Sequence, residues 1–155
     1  MIAEVKMTEK MLVLFVCTGN TCRSPLAEAL FNKYAAESGI PYAAESAGVH
    51  VRYSSEATEN TVIAGRELDV DISAHRSRQA DAETVGRASL IVCMNYHHKS
   101  LLEDMFGDIA EKTVLISAEG IPDPYGMSES AYRRMAADMD LAVNLLIDRL
   151  SQEVC

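Results

Sequence analysis

Tryptophan is absent from this 155-residue chain, and its few Phe and Tyr residues bring aromatic content to only 6%. The core must therefore be mostly aliphatic. Positive charge is also scarce: fourteen Lys and Arg stand against twenty-three Asp and Glu, for a net charge of -9. Such a surface repels DNA, RNA and anionic lipid, which argues against nucleic-acid and membrane partners. No apolar run approaches the ~20 residues a spanning helix needs, and residues 11–16 are too short for a secretory h-region, so a cytoplasmic protein is expected. Four cysteines, Cys17, Cys22, Cys93 and Cys155, show neither a CxxC pair nor a Cys/His zinc spacing. That excludes a disulfide scaffold and a structural zinc site and predicts reduced thiols. With four prolines, no repeat and no linker, one domain is expected over residues 11–155, preceded by a polar flexible extension over residues 1–10.

What the sequence does contain is an alternation of strand and helix signals. MLVLFV at residues 11–16 is continuously apolar and suits a central parallel strand covered on both faces. A helix starting at Pro25 follows, with Leu26, Leu30, Phe31 and Tyr34 on one side and a stop at Gly39 and Pro41. Further strands are expected at residues 42–47, in ASLIVCMN from Ala88 and at 113–116. Helices are expected at 57–67, 97–105 and 128–150, the last burying Tyr132, Met135, Met139, Val143, Leu146 and Leu150. This order implies right-handed crossovers, a parallel sheet with helices on both faces, and ligand binding beyond the carboxyl ends of the strands. Two loops lie there: the one after Cys17 and the one holding Asp123.

The stretch Cys17-Thr18-Gly19-Asn20-Thr21-Cys22-Arg23-Ser24 places five residues between a cysteine and an arginine, at a strand-to-helix junction. A short loop with Gly and Asn can turn backbone N–H groups inward as an anion nest, and the following helix adds its free N-terminal donors. Arg23 supplies a planar fork for two oxyanion oxygens, and the same positive field favours a thiolate at Cys17. These features describe a poised nucleophile beneath a tetrahedral oxyanion. The plain alternative is a strand-end structural cysteine beside a surface arginine.

FVCTGNTCRSPLAEALF resembles the phosphate loop of the low-molecular-weight protein tyrosine phosphatase family, and SAGV, HRSRQ and DPYG resemble later blocks of that family in the same order. The resemblance implies a three-layer α/β/α sandwich on a four-stranded parallel sheet, of flavodoxin-like type, and an enzyme needing no metal or other cofactor. It implies that Cys17 attacks phosphorus to form a cysteinyl-phosphate, that Arg23 and the amides of Thr18 to Cys22 hold the phosphoryl oxygens, and that Asp123 is the general acid. Asn20, Ser24, Ser46 and His75 match positions that knit the loop together, with Ser24 also a donor to the thiolate. Cys22 matches a second loop cysteine able to pair reversibly with an oxidised Cys17, simple loop packing being the alternative.

The implied partners are phosphorylated protein side chains, with inorganic phosphate or sulfate binding the same loop, on a monomer. Two departures favour phosphoarginine over phosphotyrosine. Thr21 stands where tyrosine-directed members carry an aliphatic residue, and Tyr125 is followed by Gly126 rather than a second aromatic; both resemble the bacterial protein arginine phosphatase branch. Phosphotyrosine stays the alternative. Remoter ones are thiol-dependent arsenate reduction, for which Cys93 is poorly placed, and a non-catalytic phosphate-binding module.

Overall fold

The computed structural model describes residues 10–154, so nearly all of the expected N-terminal extension lies outside it. β1 (Met11–Cys17), β2 (Tyr42–Gly48), β3 (Ala88–Cys93) and β4 (Thr113–Leu115) form one parallel sheet in the order β2-β1-β3-β4. Five α-helices connect and flank the strands: α1 (Arg23–Ser38), α2 (Glu59–Glu67), α3 (Ala82–Arg87), α4 (Tyr96–Phe106) and α5 (Glu129–Val154).

The continuous apolar run of β1 is explained by its central place. Val13, Phe15 and Cys17 enter a core shared with α1, α2 and α5, whereas Leu12, Leu14 and Val16 enter one shared with α3 and α4. Successive side chains alternate across a strand, so a strand covered on both faces must be apolar throughout. The larger core packs Leu26, Leu30 and Phe31 of α1 against Tyr132, Met135, Met139 and Val143 of α5. The methionines of α5 are thus core residues, as their helical spacing predicts.

The differences from expectation lie at element ends and in one short extra helix. α1 begins at Arg23, two residues before Pro25, and its N-cap Cys22 makes no side-chain capping bond. No N-cap side chain takes up its first-turn amides, and Pro25 sits where a missing N–H does no harm. α2 begins at Glu59, not at residue 57, and α5 continues to Val154, past residue 150. α3 was not anticipated. At six residues it is too short for a helical hydrophobic period, although Asp81 accepts from Thr84 N at 2.8 Å as a side-chain cap. Among the described residues no helix is long and apolar enough to cross a membrane.

Candidate active site

The parallel register brings the ends of three strands side by side, with Cys17 beside Gly48 and Val16 beside Cys93. The loop after Cys17 then folds back over β2. Its carbonyls at Cys17 and Thr18 accept from Val49 N and His50 N, each at 3.0 Å, and Thr21 O accepts from Thr58 N at 3.0 Å. Gly48 permits this close approach: a Cβ there would stand 2.5 Å from Thr18 O and 3.1 Å from Asn20 N. The SAGV block is therefore a packing requirement of the loop.

Asn20 takes the left-handed backbone conformation, φ 57°, a strain that Asn tolerates better than most residues. Its side chain is fully buried and fully used. Nδ2 donates to Ser24 Oγ at 2.8 Å and to Ser46 Oγ at 3.0 Å, and Oδ1 accepts from Arg78 N at 3.0 Å. Asn20 O is bonded by His75 Nε2 at 2.7 Å. Ser46 in turn donates to Glu28 Oε1 at 2.5 Å. Ser24 accepts from Asn20, and its single proton faces two acceptors, Cys17 Sγ at 2.9 Å and Ala47 O at 3.5 Å, the sulfur being the nearer. The four support residues named from sequence thus form one network centred on Asn20, with one branch through Ser24 to the thiol and another through Ser46 to Glu28.

Sequence reasoning missed Glu28, which closes the far end of that network from α1. Burial pushes its carboxyl up from the ordinary range, against the opposing bond from Ser46. Beside it, burial alone would raise Glu45, but hydrogen bonds from Arg87 and Arg78 hold it below the usual carboxylate range. Arg78 reaches Glu45 Oε1 at 2.6 Å and donates from Nε to Ser46 O at 3.0 Å, pinning the strand behind the loop.

Arg23 is 3% exposed at the start of α1. Its Nη1 donates to Ile121 O at 3.0 Å, Nη2 lies 3.6 Å from Asp123 Oδ2, and Nε has no hydrogen-bond partner among the described residues. A buried guanidinium with unused donors is expensive unless an anion meets them. Asp123 is half exposed, and its Oδ1 accepts from Tyr125 N at 3.1 Å. The segment that carries it is clamped upstream: Ile121 N donates to Met94 O at 2.9 Å, and Gly120, at φ +73°, leaves no room for a Cβ, which would lie 2.9 Å from that same carbonyl. Tertiary structure thereby brings Asp123 within reach of a loop that begins 106 positions earlier in the sequence.

Cys17, Thr18, Gly19, Thr21, Cys22, Arg23, Asp123 and Tyr125 line one cleft of about 350 Å³. Asn20, Ser24, Ser46 and His75 stand behind it. The cleft's outer wall is His50, Arg52 and the exposed Tyr53, which no sequence motif flagged. Cys22 is buried, with Thr58 Oγ1 at 3.5 Å and Tyr132 Oη at 3.7 Å from its sulfur. A larger groove of about 470 Å³ lies between β4 and α5, lined by Val114, Leu141 and Leu145, with no cysteine or histidine in its lining.

Residues 12–155 match the family described as low molecular weight phosphotyrosine protein phosphatase. The chain belongs to that family. Among its relatives, the protein-arginine-phosphatase of Bacillus subtilis is 32% identical over 147 residues, spanning 91% of this chain and 97% of its own. A low molecular weight protein-tyrosine-phosphatase of Escherichia coli is also 32% identical, over 146 residues, spanning 90% and 95%. Among solved structures, the arginine phosphatase YwlE, as a cysteine-to-serine variant with a phosphorylated active-site serine, aligns with a TM-score of 0.86 at 31% identity over 90% of this chain and 95% of that one. The family fold and the four-stranded parallel sheet expected from the motifs are those observed. Equal identity to arginine and tyrosine phosphatases leaves the substrate to the residues of the cleft.

Proposed function

We propose that this low molecular weight phosphatase removes phosphoryl groups from protein side chains through Cys17, with phosphoarginine as its substrate. The observation that carries the reading is the shared cleft: a thiol bonded to Ser24 forms its floor, and Arg23 and Asp123, 3.6 Å apart, face it. In the first step Cys17 sulfur attacks phosphorus, the S–P bond forms, and the bond to the leaving nitrogen or oxygen breaks. Asp123 gives its proton to the leaving group. Arg23, the loop amides of Thr18 to Cys22 and the α1 N-terminus bear the negative charge spread over the phosphoryl oxygens. In the second step water attacks phosphorus, Asp123 takes its proton, and the sulfur leaves as thiolate. Inorganic phosphate or sulfate shares the tetrahedral oxyanion and competes for the same loop.

Thr21 supports the phosphoarginine reading, since it lines the cleft and sets a hydroxyl where an aliphatic side chain would favour an aromatic ring. Tyr125, exposed at the cleft mouth and followed by Gly126 rather than a second aromatic, supports the same reading; phosphotyrosine stays the second reading, on the equal identity to a tyrosine phosphatase. Arsenate reduction finds no support at Cys93, which is fully buried and has its thiol pushed up to about 12 by burial. Turnover of p-nitrophenyl phosphate with chelator present tests the phosphatase, and binding without turnover would make the chain a phosphate-binding module. Rates on phosphoarginine and phosphotyrosine proteins then test the substrate: faster release from phosphoarginine is expected, and equal or reversed rates overturn that choice.

A further inference from the structure

Thr18 follows the nucleophile in the loop and lines the cleft, and its hydroxyl oxygen lies 2.9 Å from Nε2 of His98 on α4. His98 is 1% exposed and held in the first turn of α4, where its backbone N–H donates to the N-cap side chain of Asn95 at 3.1 Å. Its other ring nitrogen, Nδ1, is buried and has no hydrogen-bond partner among the described residues. Burial, reinforced by the charges of Arg23 and His97, pushes the imidazole down to about 4, so the ring is neutral at neutral pH.

A neutral imidazole carries one N–H, and the two tautomers differ in what they leave unpaired. A proton on Nδ1 strands a buried donor; a proton on Nε2 strands only a lone pair and gives Thr18 Oγ1 a hydrogen bond. Orphaned buried N–H groups are the rarer and costlier case. In the Nε2–H tautomer the Thr18 oxygen is the acceptor, and its own proton is released for another partner. The Thr18 backbone is fixed separately by the bond from His50 N to Thr18 O, so only the hydroxyl rotor remains to be set.

We propose that His98 is a positioning residue: donating from Nε2 to Thr18 Oγ1, it turns the Thr18 hydroxyl proton into the cleft as a donor to a phosphoryl oxygen. This rests on the phosphatase reading and adds to it one donor beyond Arg23 and the loop amides.

Long-range ¹H–¹⁵N spectra of the labelled protein read the tautomer directly, and a proton on His98 Nε2 with bare Nδ1 is expected at neutral pH. In p-nitrophenyl phosphate assays, Thr18→Val and His98→Leu should each lower kcat/KM about tenfold, with the double variant no lower than either, because both remove one hydrogen bond to a charged group. Thr18→Ser should recover most of the rate. So should His98→Gln, whose amide N–H reaches the place of Nε2. A proton found on Nδ1, Thr18→Val at the wild-type rate, or losses that multiply in the double variant would each overturn the inference. If His98→Leu does not fold, the tautomer and the Thr18 variants decide alone. A wild-type protein without turnover defeats the phosphatase reading, whereas an active wild type with an unchanged Thr18→Val defeats only this one.

Discussion

Cys17 and Cys93 end neighbouring strands, one step apart in the parallel register, and are 2% and 0% exposed. Residue type, strand position and burial nearly coincide; surroundings do not. Cys17 points to the α1 face, where Ser24 lies 2.9 Å from its sulfur and the helix N-terminus opens beside it. Cys93 points to the other face, among Leu12, Leu14, Val16 and Leu102, and burial drives its thiol up to about 12. Cys93 has apolar neighbours, whereas Cys17 has the Ser24 hydroxyl on its sulfur and a helix N-terminus beside it, the surroundings in which a cysteine can serve as a nucleophile.

The contrast is broken most sharply by substitution. Cys17→Ser should lower phosphatase turnover by at least about a thousandfold, a hydroxyl being a far weaker nucleophile at neutral pH, while Cys93→Ser leaves kcat within about twofold; steady-state assays on both variants check this. Iodoacetamide should then label Cys17 in the folded protein and Cys93 only after denaturation, with inorganic phosphate slowing the first reaction, as peptide mass mapping will show. Asp123→Ala sharpens the comparison from the acid's side. Its kcat should fall about 10²- to 10⁴-fold with poor leaving groups and much less with p-nitrophenol. Thr21→Ile is smaller, narrowing or reversing the phosphoarginine-to-phosphotyrosine rate ratio by about tenfold.

The smallest effects are on stability. Cys93→Ser should cost about 1–3 kcal/mol in urea unfolding, since its hydroxyl enters an apolar core. His98 adds a pH dependence whose sign follows from its depressed value. Between pH about 6.5 and about 4 the unfolded chain binds a proton that the folded imidazole refuses, so stability present above that window is lost as pH falls through it. The unfolding midpoint should drop by roughly 5 °C more across the window in the wild type than in His98→Gln.

The chain order of strands and helices was legible because periodicity and punctuation are local properties. MLVLFV declares a strand covered on both sides, and Met135, Met139 and Val143 declare one buried helix face. The loop from Cys17 to Ser24 was legible as well, since an anion nest is built from consecutive amides. Less was visible where partners are distant. Glu28 is an ordinary helix glutamate in sequence, His98 an ordinary histidine, and His50, Arg52 and Tyr53 an unremarkable polar stretch. Each acquires meaning only from what is packed opposite it.

By itself the sequence determined that a cysteine would sit between a buried strand and a helix start, with an arginine six positions on, because that arrangement needs only contiguous residues. Tertiary structure alone decided which faces the two strand-end cysteines took, that Asp123 stands 3.6 Å from Arg23, and that His98 meets Thr18. The reason is physical. Hydrogen bonds and ion pairs act over a few ångströms of space, and only the packing of helices on the sheet converts long separations along the chain into such distances.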